Sequence, residues 1–238
     1  MNFYGKANRV LVEQALEKKT LEDCQIVDCD LSNLAVREAQ WNKSDMRDLH
    51  ANDIVFQNTK LEKSTFFRSS FMRASFAGTV LDTMVLDSLT LIKSRWQNSR
   101  LNNTTLKSLC LQRAHLSKNS FVSSSFFDFE ALDARVDNCI FAHSMIGIGF
   151  GSGMNGFCSA EITNCIFYHC RFEGYPLRGA NLSSCVFAYC SGEIGDDMEC
   201  ANVAGIGLRG KAQRRPLQRM NEARRLVEQY TSRQERQA

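Results

Sequence analysis

Large apolar residues recur at every fifth position along most of this chain. Stepping by five from Leu21 to Ile146 meets 26 consecutive apolar residues in one phase. The chain is 44% hydrophobic, so chance would place only about 11 there. The phase shifts by one residue through 147–154 and resumes from Phe157 to Phe187. A five-residue period is neither the two-residue period of a strand nor the 3.6-residue period of a helix, so the pattern predicts a repeat architecture.

A second position in each group of five is small. Two residues before the large residue, Ala, Ser, Thr or Cys occupies 17 of the 26 positions in the first run. The two alanines among the large positions, Ala51 and Ala131, are preceded by Leu49 and Phe129. A large residue in the small position thus accompanies a small residue in the large position, as expected where volume is conserved in a packed interior. Both positions are therefore predicted to point inward, and the remaining three outward.

The chain at this point resembles the pentapeptide-repeat family, whose consensus is A(D/N)LXX. The segment ANLSS at Ala180–Ser184 matches it, and CDLSN and ASFAG are degenerate copies. The resemblance implies an all-β solenoid, a right-handed quadrilateral β-helix in which four pentads form the four sides of one coil. Thirty-three pentads then give about eight coils, stacked at ordinary strand spacing.

The ends of the chain depart from the repeat and predict helical caps. Residues 1–20 are expected to form an N-terminal helical cap with Val12, Ala15 and Leu16 on one side, followed by the β-helix over 21–190. Residues 191–238 are expected to form a loop and a C-terminal helix. This helix either covers the last coil or forms a homodimer or partner contact, and its apolar positions are Leu217, Met220, Val227 and Tyr230.

Composition adds no sign of a membrane protein or of a disulfide scaffold. No apolar run approaches the ~20 residues needed to cross a bilayer, and the N-terminus lacks the pattern of a signal peptide. We therefore expect a cytoplasmic protein, or one exported without such a peptide. Seven of the ten cysteines occupy the small inward position and are expected to be reduced. Disulfide or metal binding remains the alternative for two stacked pairs, Cys165 with Cys185 and Cys170 with Cys190.

No catalytic, cofactor-binding or metal-binding residues are predicted. A solenoid that fills its interior with Leu and Phe offers no pocket for a small-molecule substrate. The four histidines occupy outward positions with no common column. The segment GIGFGSG at 147–153 lacks the Lys-Ser/Thr of a phosphate loop, so a bulge that lets the coil change phase is the preferred interpretation.

Outward columns are where a function is expected. Residues 20 apart stack on successive coils, which places Arg73, Lys93 and Arg113 in one column beside Met72 and Ile92. Apolar anchors flanked by charge are typical of a protein-binding site, and we predict one here. An ordinary solvated face is the alternative.

Three functions are compatible with such a rod. The first is a protein-protein interaction module or scaffold without enzymatic activity. The second, implied by the family, is a DNA mimic that protects gyrase and related topoisomerases. However, residues 60–118 hold ten basic and three acidic residues, the reverse of what mimicry needs. The third is a bacterial effector that contacts a host or secretion protein. Direct nucleic-acid binding is not expected, because the basic residues lack a stacking platform or a recognition helix.

Overall fold

The computed structural model describes residues 2–4, 9–195, 198–199, 221, 224–225 and 228. The chain winds into a four-sided parallel solenoid in which each side takes five residues and residues 20 apart lie in register. The all-β solenoid that the family resemblance implies is confirmed. The solenoid has nine coils, one more than expected, as the nine strands of one side show.

Three of the four sides are sheets, in which all neighbouring strands run parallel except the last pair of face two. The nine-stranded sheet, face one, consists of β2 (Thr20–Glu22), β5 (Gln40–Asn42), β8 (Lys60–Glu62), β11 (Val80–Asp82), β14 (Arg100–Asn102), β17 (Ser120–Val122), β20 (Ile140–Ala142), β23 (Ile166–Tyr168) and β26 (Val186–Ala188). The 11-stranded sheet, face two, consists of β1 (Asn2–Tyr4), β3 (Gln25–Val27), β6 (Asp45–Arg47), β9 (Thr65–Phe67), β12 (Val85–Asp87), β15 (Thr105–Cys110), β18 (Ser125–Glu130), β21 (Met145–Gly147), β24 (Arg171–Glu173), β27 (Ser191–Gly195) and β28 (Met198–Glu199). The eight-stranded sheet, face four, consists of β4 (Ala35–Arg37), β7 (Val55–Gln57), β10 (Ser75–Ala77), β13 (Arg95–Gln97), β16 (His115–Ser117), β19 (Arg135–Asp137), β22 (Glu161–Thr163) and β25 (Asn181–Ser183).

Face three is built from turns joined by isolated bridges. Between Phe71 and Ala74 the N–H of Ala74 donates to the carbonyl of Phe71 at 3.1 Å, and the same bond recurs in the other coils. Bridges such as His50 to Ser70 link one coil to the next. Face three therefore presents its outward side chains from a row of turns, whereas the other faces present them from strands.

The corner residue two positions after a large residue adopts a left-handed backbone conformation in nearly every group of five, Ile148 being an exception. The φ angles of Arg73, Lys93 and Asn98 are 57°, 58° and 51°. The N–H of this corner residue reaches the next coil, as where the N–H of Arg73 donates to the carbonyl of Ile92 at 2.9 Å. Asn, Asp and His adopt this region more readily than other residues with a Cβ. This preference explains why Asn and Asp are common at the corners.

The interior is filled by stacked side chains from successive coils. Along face one the ring of Phe141 stacks on Phe121 and Phe167, with centroids 4.7 and 4.9 Å away. The small position forms a second ladder that satisfies the backbone. The hydroxyl of Ser99 accepts the N–H of Thr79 at 3.2 Å and donates to the carbonyl of Phe76 at 3.1 Å. The buried hydroxyl of Ser99 is thereby paired, as burial requires, whereas the indole N–H of Trp41 is buried without a hydrogen-bond partner among the described residues.

The predicted exchange of volume between the two inward positions is also confirmed. Ala51 and Ala131 are fully buried, and their partners Leu49 and Phe129 are 2% and 0% exposed. The ring of Phe129 packs against Phe157, with centroids 4.8 Å apart. The larger side chain thus occupies the space that the alanine leaves.

One coil is longer than the others by six residues, which is one complete group of five plus one. Phe141 pairs with Phe167 and Ile146 with Phe172, so register is 26 residues there instead of 20. The six extra residues lie between β21 and Phe157. The bulge expected from the sequence is therefore wrong in size: a projecting loop replaces a single extra residue, and the solenoid continues unbroken beneath it.

The N-terminal segment contains a strand as well as a helix. Helix α1 spans Arg9–Glu17, and its Val12 is fully buried. Strand β1 pairs with β3 and so covers the edge of face two. At the other end, β27 and β28 form an antiparallel pair that extends face two beyond residue 190. The predicted C-terminal positions Leu217, Met220, Val227 and Tyr230 lie outside the described residues.

Candidate interaction surfaces

Potential metal ligands do not cluster in the described part of the chain. Over the described residues there is no group of three or more His, Cys, Asp or Glu that could hold a metal ion. An open cleft of about 300 Å³ lies beside α1 and β4, lined by residues including Glu13, Glu17, Lys19 and Arg37. The Lys19 ammonium in this cleft is paired with the Glu38 carboxylate at 2.7 Å.

The nine described cysteines are free thiols. The thiol of Cys165 donates to the carbonyl of Thr163 at 3.3 Å, and that of Cys185 to the carbonyl of Ile162 at 3.3 Å. Burial raises the pKa of Cys165 well above its ordinary value. Burial also raises the pKa of Cys170, and its neighbour Cys190 adds to this effect. At neutral pH this burial favours the protonated form of these thiols, which is the poorly nucleophilic one.

The predicted column on face three is present, and its charges are partly neutralised. Arg73, Lys93 and Arg113 are exposed corner residues one coil apart, and Met72 and Ile92 beside them are half-buried. The Arg73 guanidinium makes two hydrogen bonds to the Asp53 carboxylate, at 2.5 and 2.7 Å.

This pairing is one reason that three cations can stack on neighbouring coils. The bond from Arg73 lowers the pKa of Asp53 below its ordinary value. At the other end of the column, Arg113 lies 3.8 Å from Asp133. Lys93 stands between these two ion pairs. The net charge of the column is therefore smaller than the three cations alone suggest.

The loop at 149–155 is the most prominent outward feature of the described chain. It leaves the coil after face two, where the N–H of Gly149 donates to the Asp128 carboxylate at 2.7 Å. It re-enters at face three, where the N–H of Gly156 donates to the carbonyl of Phe129 at 3.0 Å. Between these anchors, Phe150 has a relative exposure of 111%, so no other described residue covers its ring.

The glycine-rich sequence of this segment predicts a bulge, whereas the structure shows a projecting loop. Glycines at 149, 151, 153 and 156 surround one large aromatic residue and allow the chain to turn sharply. At Gly156 a side chain is excluded altogether, because a Cβ there would lie 2.3 Å from the carbonyl oxygen of Pro176. The loop is therefore firmly attached at its base while its tip projects.

Two histidines share a column, contrary to the expectation from the sequence. The rings of His143 and His169 stack with centroids 4.9 Å apart, and Tyr189 stacks on His169 at 4.9 Å. The expectation was wrong because it assumed a 20-residue coil, whereas the loop makes this coil 26 residues long. Burial lowers the pKa of His143 below its ordinary value, and the neighbouring His169 lowers it further. His143 is consequently neutral at pH 7 and adds no charge to this corner.

No family model matches the chain, and no curated protein matches it. Among solved structures, full-length QnrB1, a plasmid-mediated fluoroquinolone resistance protein, is 11% identical with a TM-score of 0.43, covering 84% of this chain and 89% of that one. HetL, a pentapeptide repeat protein involved in heterocyst differentiation regulation in the cyanobacterium Nostoc, is 14% identical with a TM-score of 0.25, covering 78% and 90%. A mannuronic acid specific polysaccharide family 6 lyase from human gut microbiota is 10% identical with a TM-score of 0.32, covering 82% and 63%. At these identities and scores the likenesses carry no activity or partner.

No helix within the described residues is both long and apolar enough to cross a membrane.

Proposed function

We propose that this pentapeptide-repeat chain is a protein-binding rod without enzymatic activity, and that its partner contacts the loop at 149–155 together with face three. The observation that carries this proposal is the full exposure of Phe150 at the tip of an anchored loop. An exposed aromatic ring on a loop that is attached at both ends is a typical anchor for a pocket on another protein. Its burial would contribute about 1.5–3 kcal/mol to binding.

The loop and the predicted column border the same face. The loop re-enters face three at Phe157, which is two coils beyond Leu111 and its corner residue Arg113. At about 4.8 Å per coil, the two features are separated by roughly 10 Å along the rod. An aromatic anchor on the loop, half-buried Met72 and Ile92, and exposed Lys93 together fit the usual composition of an interface: apolar contacts rimmed by charge.

The proposal predicts that Phe150→Ala greatly weakens partner capture and leaves the fold unchanged. Full-length protein immobilised on beads would be exposed to lysate of its native cells, and bound proteins quantified by mass spectrometry. Loss of one anchor ring should lower the affinity for the specific partner by about 10- to 100-fold. The melting temperature should not change, because the ring of Phe150 is fully exposed.

Two further variants complete this experiment. Ser152→Ala, a small change in the same exposed turn, is the matched control and should retain capture. Lys93→Glu reverses the charge of the exposed cation between the two ion pairs and should reduce capture through the column. Undiminished capture by Phe150→Ala would contradict the role of the loop, and undiminished capture by Lys93→Glu would contradict that of the column.

The alternative function is a DNA mimic that protects a topoisomerase. A mimic should restore gyrase supercoiling in the presence of a quinolone, and absence of rescue would remove this alternative. An effector role would instead show capture of a secretion protein in this pull-down, or of a host protein when the pull-down is repeated with host-cell lysate. The ion pairs along face three and the basic middle of the rod favour neither alternative over a general protein-binding rod.

A further inference from the structure

The outer surface of face one changes character halfway along the rod. In the first five coils its outward positions are mostly polar and in contact with water, as Lys60, Glu62 and Arg100 show. From the sixth coil onward they become apolar. The seven apolar residues, which we call the outer strip, are Val122, Ile140, Ala142, Ile166, Tyr168, Val186 and Ala188.

The outer strip is buried although it points away from the core. Its members are only 0–8% exposed. In β17, β20, β23 and β26 all three residues are buried, while the central one belongs to the interior. A sheet buried on both sides must be covered on its outside by a second layer. The strip therefore has an occupant.

The described residues near the C-terminus indicate what this occupant is. Asn221, Arg224, Arg225 and Glu228 are helical and exposed. Spacings of three, four and seven place them on one side of a helix. The guanidinium of Arg224 lies 3.5 Å from the hydroxyl of Tyr189, the corner residue that follows β26. It is also bonded to the side chain of Tyr168 in the outer strip, which raises the pKa of Arg224.

The sequence supplies an apolar side for this helix opposite its exposed side. Helical periodicity places Ala223, Leu226, Val227 and Tyr230 there. The length also fits, because the outer strip spans four coils, or about 14 Å. About ten residues of helix cover that distance at 1.5 Å per residue.

We propose that the outer strip is a docking site for an amphipathic helix and that its occupant is the chain's own C-terminal segment, residues 216–231. The segment then covers the side of the rod, in place of the end-cap or dimer contact expected from the sequence.

Limited trypsin digestion of the full-length chain tests this proposal. The bonds after Arg224 and Arg225 serve as the reporter. Docking should protect them in the wild-type protein. Ile166→Asp places a charge in the buried strip and should speed their cleavage at least about tenfold, because proteolysis follows the population of the undocked form. Val80→Asp, at the equivalent outward position of face one four coils earlier and only half-buried, should leave the cleavage rate unchanged.

A second variant separates undocking from unfolding. Val227→Asp changes the helix and leaves the solenoid intact, so it should also accelerate cleavage while the melting temperature of the coil is preserved. Cleavage of the wild-type chain as fast as Ile166→Asp, or continued protection in Val227→Asp, would overturn the proposal. Protection that falls on dilution, with a dimer detected by light scattering, would show that a second copy supplies the cover and would also overturn it.

Discussion

Replacing Phe141 by alanine is expected to lower the free energy of unfolding by about 3–5 kcal/mol. The side chain is fully buried, and its ring stacks between Phe121 and Phe167 at centroid distances of 4.7 and 4.9 Å. The edge of Phe126 packs against it at 5.9 Å. Removing the ring leaves a cavity between coils whose backbones are fixed by the sheet. Equilibrium denaturation in urea measures the loss.

Phe150→Ala is the matched control, because it removes the same ring from a fully exposed position. Its free energy of unfolding should equal that of the wild-type protein within about 0.5 kcal/mol, as is usual for surface substitutions. A small loss in Phe141→Ala would mean that the interior is not packed as described. An equal loss of unfolding free energy in both variants would contradict the placement of Phe141 in the packed interior and of Phe150 in the exposed loop.

Replacing Gly156 by alanine is expected to destabilise the protein by about 1–3 kcal/mol beyond the backbone strain that any such substitution brings. The residue has a φ of 58°, and an added Cβ would lie 2.3 Å from the carbonyl oxygen of Pro176. Backbone from the next coil cannot move aside without breaking the bond from Phe157 N–H to that same carbonyl, now 2.8 Å. Differential scanning calorimetry would measure the fall in melting temperature.

Gly151→Ala separates the effect of the steric clash at Gly156 from that of the backbone strain at a positive φ. Gly151 also has a positive φ, 79°, but nothing lies within 4 Å of the position that its Cβ would take. Gly151→Ala should therefore cost no more than the strain itself, about 1 kcal/mol. Equal melting temperatures for the two variants would contradict the close contact at the base of the loop.

The sequence was sufficient to predict the interior because two positions in every five obey a strict volume rule. The pairs Ala51 with Leu49 and Ala131 with Phe129 identify both inward positions from residue volume alone, and all four side chains are buried. Each coil repeats the same packing problem, so a single periodic constraint determines most of the fold.

The loop and the His143–His169 column could not be predicted by the same reasoning. A phase shift of one residue is equally consistent with one inserted residue or with six, because six adds a complete group of five. Register between coils decides between them, and the pairing of Phe141 with Phe167 shows that the number is six. The number of inserted residues also determines the face of the solenoid on which each later residue lies.

The outer strip is absent from the sequence-based prediction because that prediction treats the outward positions of all four faces as one polar group. When the outward positions are grouped by face, the segments of face one change from KLE and VLD to IFA, IFY and VFA after the fifth coil. This local loss of polarity is the sequence signal for a second layer. The ion pairs of Arg73 and Arg113 were not predicted, because their partners lie 20 residues away in the sequence and are identified only by the stacking of neighbouring coils.

Hydrogen–deuterium exchange of the intact protein, read peptide by peptide, tests most directly the claim that a filled, continuous solenoid carries a projecting loop. The account predicts that the peptide containing 149–155 exchanges within seconds, while peptides from 120–146 and 157–190 stay protected for hours, since their amides bond to adjacent coils. Protection of the loop peptide equal to that of the peptides from the coils, or rapid exchange in the coils on either side of the loop, would contradict a continuous solenoid with a projecting loop.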